Sequence, residues 1–378
     1  MANNSNLGAA KAAKNDEFYT QYADIQKEVN AYLEYNPDTF RDKTVLLPCD
    51  DPEWSNFTRF FAQNFERLGL RRLISTSYAV ESKLYKEYEP TLFETESPLF
   101  DADKTRIKGK IFELSRDTDG SGRIDIDDLE WQYLEGDGDF LSPEVCKLRD
   151  EADIIVTNPP FSLFKEYLAW CVSGKKQFLL IANKNCVTYK EVFPLIKDNK
   201  LWSGRTEWAG GMWFETKNEN DVDKVVNGVR MKNVSSVWFT NMEHGRRHEP
   251  MRLMSMQDNR RFSKHKDIRE RGYIKYENYD AIEVPYTDAI PDDYPGMMGV
   301  PITFLDKYCP EQFKIVGMCE NLDIYGLKTR IFSSEECRAA YLRKFGKPGT
   351  YDLNAAGVVK MEDGQLEKVY QRILIQRI

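Results

Sequence analysis

The residues best suited to chemistry are Asn158-Pro159-Pro160-Phe161, directly after the apolar run Asp153-Ile-Ile-Val-Thr157. An amino group conjugated to an aromatic ring is a poor nucleophile because its lone pair is delocalised into the ring. Two acceptors placed on its protons pull the nitrogen toward tetrahedral geometry and free that pair. The Asn158 amide oxygen and the Pro159 carbonyl are such acceptors, and the prolines stiffen the turn without adding an N–H that would compete. Phe161 offers a face on which a base that has left its helix can stack. A methyl held in line on a sulfonium would then transfer without a strong base, by positioning and preorganised dipoles. The competing reading is an ordinary strand-to-helix turn, since Asn-Pro is a common turn dipeptide.

Two further turns carry candidate ligands. Cys49-Asp50-Asp51-Pro52-Glu53-Trp54-Ser55-Asn56 follows a short apolar run and opens a helix, where a nucleotide-like cofactor rests on a helix N-terminus. It lacks the glycines of a dinucleotide loop, and an acid there suits a positively charged group such as a methionine ammonium. Ser55 or Asp51 as a plain N-cap is the alternative. In Gly136-Asp137-Gly138-Asp139-Phe140 the glycines let backbone approach a ligand, and Asp139 can accept from an adenine amino group. A solvated turn would look the same. A fourth segment, Asp117 to Asp128, fits a calcium-loop pattern with Asp117, Asp119, Ser121 and Asp128 among its oxygen ligands. The shorter carboxylate at Asp128 favours a tighter calcium or magnesium site, but no entering helix precedes the loop, and such acidic loops are often solvated turns.

The elements that must position these turns alternate. Helices are expected over Asp24 to Tyr35, Ser55 to Leu68 with Gly69 as the stop, after Asn158–Phe161 to about Val172, and near Tyr189 to Ile196. Strands are expected at Thr44 to Cys49, Arg72 to Ser77, Lys110 to Ser115, Asp153 to Thr157, Gln177 to Ala182 and Val234 to Thr240. This is an α/β pattern, a doubly wound sheet whose ligands sit at the strands' carboxyl ends. Beyond about residue 245 the sequence turns Pro- and Tyr-rich, basic and irregular, ending in an edge strand at Val369 to Ile378. We divide the chain into a flexible leader (1–14), a catalytic domain (15–244, with an acidic insert about 101–135) and a recognition region (245–378).

With 41% hydrophobic and 30% charged residues, the chain reads as an ordinary globular protein. No run of eighteen apolar residues predicts a membrane span, and the polar start is not a signal peptide. A cytoplasmic location is expected. Seven scattered cysteines, never spaced CxxC, predict reduced thiols and no zinc site. His244 and His248 read as a surface pair. The net charge of −8 hides polarity: Glu113 to Asp139 holds ten acids and two bases, whereas Gly245 to Tyr276 holds ten Lys and Arg against four acids. Arg246, Arg247, Arg260, Arg261 and Lys264 in that basic stretch are the candidate contacts to double-stranded DNA.

Together these motifs resemble the EcoRI-type adenine-specific DNA methyltransferases. Asn158 to Phe161 matches the NPPF/Y motif of amino-methyltransferases. Asp51-Pro-Glu-Trp-Ser-Asn56 resembles their cofactor loop, with Ser55 in place of glycine. Asp139-Phe140 resembles the pair that contacts the cofactor adenine, and Phe18-Tyr19-Thr20 the N-terminal motif that closes over its methionine end. Met298 to Leu305 and Gln312 to Gly317 extend the likeness. The resemblance implies a class I methyltransferase-like doubly wound sheet with an appended C-terminal target-recognition region. It implies S-adenosyl-L-methionine as cofactor, held by Phe18, Tyr19, Thr20, Asp50, Asp51, Pro52, Ser55, Asn56, Asp139 and Phe140. It further implies methylation of N6 of a flipped adenine with Asn158, Pro159, Pro160 and Phe161 as catalytic residues, and a cognate restriction endonuclease as a companion. One departure stands out: Ile74-Ser-Thr-Ser-Tyr78 lacks the acid that usually ends the second strand and holds the cofactor ribose, and nearby Glu81 is not assigned to that role. Methylation of protein glutamine or ribosomal RNA guanine, and a non-catalytic metal-regulated binding protein, are the alternatives.

Overall fold

The computed structural model describes residues 19–48, 55–79, 97–216 and 219–378, and its chain divides into two units, Met1–Gly245 and Arg246–Ile378. The first unit runs, in chain order, through β1 (Tyr19–Thr20), α1 (Tyr22–Tyr35), β2 (Thr44–Leu47), α2 (Asn56–Gln63), α3 (Phe65–Leu68), β3 (Arg72–Ser77), α4 (Ala102–Ile107), β4 (Lys110–Leu114) and β5 (Glu130–Tyr133). It continues with α5 (Pro143–Glu151), β6 (Ile154–Thr157), α6 (Phe164–Ser173), β7 (Gln177–Asn183), α7 (Phe193–Lys197), β8 (Trp202–Ser203), β9 (Met212–Glu215), β10 (Lys224–Val226), β11 (Val229–Val234) and β12 (Ser236–Thr240).

Eight of these strands form one mixed sheet in the order β5-β4-β3-β2-β6-β7-β12-β8. The neighbours β3, β2, β6 and β7 are parallel, and β2 and β6 bury every residue, as central strands must when both faces are covered. Antiparallel strands flank this centre on both sides, β4 and β5 beyond β3, β12 and β8 beyond β7. The result is a mixed α/β unit. The segment read as an acidic insert therefore supplies two strands to the main sheet. From β2 the chain moves to β3 on one side and returns to β6 on the other, so the strand order reverses between β2 and β6. A ligand crevice opens at the carboxyl ends of such a pair.

Three element readings change. The helix over Ser55 to Leu68 breaks at Asn64, whose Nδ2 donates to the Phe60 carbonyl at 2.8 Å, before Gly69 closes it in a left-handed conformation (φ 63°). The strand read at Val234 to Thr240 is two strands: β11 belongs to a second, antiparallel sheet ordered β1-β9-β11-β10, and at Ser235 the chain crosses to the main sheet as β12. The helix read near Tyr189 begins only at Phe193, with Pro194 in its first turn, where the missing N–H does no harm. The core between helices and sheet includes Tyr32, Phe60, Phe61, Leu73, Val156 and Trp238.

The second unit contains α8 (Met256–Phe262), α9 (Lys266–Arg271), β13 (Ala281–Glu283), β14 (Met297–Pro301), β15 (Phe313–Met318), α10 (Ser334–Phe345), β16 (Val358–Lys360), β17 (Leu366–Lys368) and β18 (Arg372–Arg377). It is more regular than its sequence suggests. A four-stranded sheet, β13-β14-β18-β15, carries the C-terminal strand inside it and not at its edge. Ile373, Leu374 and Ile375 are fully buried there, paired on both sides. Beside them Arg372 donates through its Nη2 to Glu283 at 2.6 Å, and the Tyr276 hydroxyl donates to the same carboxylate. This buried pair is hydrogen-bonded on both partners, as a buried charge requires.

Candidate active site

Thr157, the last residue of β6, is fully buried, and its Oγ1 donates to the Pro48 carbonyl at 3.0 Å, just past the end of β2. That bond ties together the two strand ends between which the order reverses. Asn158 leaves the sheet there, half-buried, with Pro159 buried behind it. The Leu163 N–H donates to the Pro160 carbonyl at 2.8 Å and makes one tight 3-10 turn, Phe161–Leu163, before α6. The helix expected after the motif thus begins at Phe164, once that turn is complete. Phe161 is half-buried and packs against the main core, so one side of its ring is anchored.

The Gly136 to Phe140 turn lies at the carboxyl end of β3, next door to β2. Ala79 donates its N–H to the Asp137 carbonyl at 2.8 Å. Gly138 sits at φ 88°, and a Cβ there would stand 2.4 Å from the Ser77 carbonyl oxygen. Only glycine allows so close a contact in that conformation. Asp139, half-buried, accepts the Leu141 N–H through Oδ1 at 3.0 Å. Phe140 is 2% exposed and stacks on Tyr167 with ring centroids 4.0 Å apart, with Trp170 edge-on at 5.7 Å. Its ring is therefore a packed wall under the turn.

The N-terminal motif joins the same region through β1. Asn56 Nδ2 donates to the Thr20 carbonyl at 2.8 Å, and Ser55 caps α2 by accepting the Phe57 N–H at 3.1 Å. Ser55 thus fills the N-cap position, and Asn56 links two of the expected cofactor segments. Thr20 Oγ1 is buried with no hydrogen-bond partner among the described residues. A hydroxyl left so pays a desolvation cost unless a ligand meets it. With a carboxylate at Asp139, this orphaned hydroxyl fits the polar ends of a nucleoside amino acid such as S-adenosylmethionine. Phe18, Asp50, Asp51, Pro52 and Glu81 lie outside the described residues.

The sequence reading did not single out Thr157 or Gly109. The signal for Thr157 was a hydroxyl ending an otherwise apolar strand just before the motif. Gly109, where a Cβ would stand 2.6 Å from Ser77 O, had none beyond being a glycine before a strand.

The basic candidates divide. Arg246 donates to Asp306 at 2.8 Å with both side chains largely buried, and Arg247 is 5% exposed. Neither guanidinium group is free on the surface, which corrects their reading as phosphate contacts. Arg260 and Arg261, in the last turn of α8, are exposed, as is Lys264, which pairs with Asp288 at 2.8 Å. Phe262 between them is 70% exposed. His244 is no surface residue: it is 2% exposed and bonds the Ser203 carbonyl through Nε2. His248 instead pairs with Glu311.

Carboxylate oxygens of Asp117, Asp119 and Asp128 converge within 4.8 Å of one another. Backbone already engages them: Asp117 accepts the Gly120 and Gly122 N–H groups, and Asp119 accepts that of Ser121. Asp128 accepts the N–H groups of Thr118, Asp119 and Asp125. Those bonds, Thr118 foremost, hold its carboxyl down at about 2. The Ser121 hydroxyl donates to the Arg123 carbonyl. The loop closes on its own backbone, and nothing here goes beyond an acidic cluster.

Comparison with known proteins adds a family. The model described as "Adenine-specific methyltransferase EcoRI" matches residues 6–378. The chain is 40% identical over 329 residues to Type II methyltransferase M.EcoRI of Escherichia coli, covering 85% of this chain and 91% of that protein. It is 32% identical over 321 residues to Type II methyltransferase M.MpnI of Mycoplasma pneumoniae, covering 82% and 85%. It is 33% identical over 334 residues to Type II methyltransferase M.MgeORF184P of Mycoplasma genitalium, covering 85% and 90%. No solved structure matches.

Proposed function

Because the chain belongs to the family of EcoRI-type adenine-specific methyltransferases, we propose that it methylates N6 of adenine in double-stranded DNA. The observation that carries the chemistry is the place of Asn158-Pro159-Pro160-Phe161, at the carboxyl end of β6 where the strand order reverses beside β2. We read the parallel strands as the centre of a class I methyltransferase-like, doubly wound sheet, and Arg246–Ile378 as its target-recognition region.

Tyr19, Thr20, Ser55, Asn56, Asp139 and Phe140 would hold S-adenosylmethionine, with Phe18, Asp50, Asp51 and Pro52. When bound, that cofactor supplies an electrophilic methyl on a sulfonium. The Asn158 amide oxygen and the Pro159 carbonyl would accept hydrogen bonds from the two amino N–H groups of the target base and free its nitrogen lone pair, and the proton that the nitrogen sheds on gaining a methyl passes to solvent. Pro160 fixes the turn that aims them. Phe161, anchored on the core, offers a ring face to an adenine taken out of the stack. Because a bound sulfonium would present its methyl already activated, the Asn158 turn needs no Lewis acid beside it, and the Asp117–Asp128 loop stays outside the chemistry.

DNA is favoured over protein glutamine or ribosomal RNA because exposed Arg260, Arg261 and Lys264 crown a separate unit that follows the catalytic one. A cytoplasmic enzyme with a cognate restriction endonuclease is the setting this implies; no helix among the described residues is long and apolar enough to cross a membrane. The test offers the protein labelled S-adenosylmethionine with duplex DNA, ribosomal RNA or a glutamine-bearing peptide. Label should enter DNA alone, as N6-methyladenine. Label in the RNA or the peptide, or no binding of the cofactor in a titration, would overturn the proposal.

A further inference from the structure

Resting on that reading, we propose that Lys165 and Lys184 grip the phosphates flanking the target nucleotide as its base enters the Asn158–Phe161 turn. The pairing Thr157↔Leu180 ends the contact of β6 with β7, yet β7 continues for three residues to Asn183. Lys184 follows at once, so the far end of β7 runs on beside the turn that leaves β6. On the other flank, Lys165 stands in the first turn of α6, four residues after Phe161. One contact joins the two flanks: the Lys165 Nζ lies 5.9 Å from the ring centroid of Tyr189, which closes the short turn after Lys184. Tyr189 is held by its backbone, since its N–H donates to Cys186 O and its carbonyl accepts from Val192 and Phe193.

Two features make this rim more than scattered surface charge. Among the described residues neither Lys165 nor Lys184 lies within ion-pair distance of a carboxylate. They are also cations in an acidic unit, which over residues 1–245 holds 31 Lys and Arg against 41 Asp and Glu. Ammonium groups with no carboxylate partner among the described residues, framing the turn that must admit a nucleotide, match the charge that enters with it. A base cannot reach Asn158 without its flanking phosphodiesters being drawn to the same mouth. Two point charges on separate segments can hold those groups without reading any base. Lys165 and Lys184 are positioning residues, and Tyr189 sets the place of Lys165.

The experiment uses the full chain and a duplex containing a site mapped by its own methylation, with 2-aminopurine in place of the target adenine. Lys165→Gln and Lys184→Gln should each lower the slope of log affinity against log salt by about 0.9. Each should also reduce the fluorescence of the extruded 2-aminopurine, and Lys165→Arg should restore both. S-adenosylmethionine affinity should equal that of the parent protein. Unchanged slope and fluorescence would overturn the inference, and so would lost activity with an unchanged slope, which marks a merely structural role. If the parent protein leaves adenine unmethylated, the proposed function itself falls, and this outcome is distinguishable from the others.

Discussion

At the scale of single residues, neighbours carry separable duties. Asn158 acts on the target amine and not on the cofactor, so Asn158→Ala should cost about 100-fold or more in transfer rate. Cofactor affinity, read by titration calorimetry, should stay nearly unchanged, and parent-like turnover would remove Asn158 from the chemistry. Asp128 serves the fold of its loop. Its carboxyl is lowered from 3.8 to about 2, first by the Thr118 N–H. A depressed acid stabilises the folded state above its unfolded value, and that contribution fades as pH falls from about 4 toward 2. Amide protection at Thr118 and Asp119, relative to an unstructured chain at the same pH, should therefore be high near neutrality, fall over that acid window, and be low at every pH in Asp128→Asn. Chelator should leave the methylation rate unchanged; a loss restored by calcium would show that the loop regulates the site.

At the scale of elements, the site depends on turns held against strand ends. Gly138→Ala adds a Cβ 2.4 Å from the Ser77 carbonyl at a positive φ, and backbone must shift to admit it. The Asp139 turn should move with it, weakening S-adenosylmethionine about tenfold, the effect of roughly 1.4 kcal/mol. Unchanged affinity would place the cofactor elsewhere. Much of this architecture was legible. Runs without a charge such as Thr44–Leu47 and Ile154–Thr157 can bury both faces at the centre of a sheet, and the turns after them stood out by composition. What was not legible has a physical reason. Nothing local at Ser235 says that the chain changes sheets there, since the half-buried end of β11 runs straight on into the fully buried β12. The C-terminal strand looked like an edge because it ends the chain, yet its pairing with β14 and β15 is set by residues far away in sequence. Arg246 and Arg247 read as surface cations because a sequence does not show that Asp306 waits for one of them.

At the scale of the whole molecule, the net charge of −8 belongs to the catalytic unit. Residues 246–378 hold 22 Lys and Arg against 20 Asp and Glu, a balance of +2, whereas residues 1–245 carry −10. DNA affinity should therefore depend on few cations. Replacing Arg260, Arg261 and Lys264 together should flatten the salt dependence of binding by up to about three contacts' worth. Lys264 should contribute least, because Asp288 already holds its ammonium. S-adenosylmethionine affinity should not change, and an unaltered slope would move the DNA-facing surface elsewhere. The central claim is that this acidic chain transfers a methyl group to adenine N6 at chosen sites in DNA. The most direct measurement is to incubate unmodified plasmid with the protein and S-adenosylmethionine and map every modified base. N6-methyladenine should appear confined to one short recurring sequence; methyl groups on another base, or none at all, would rule out adenine methylation by this chain.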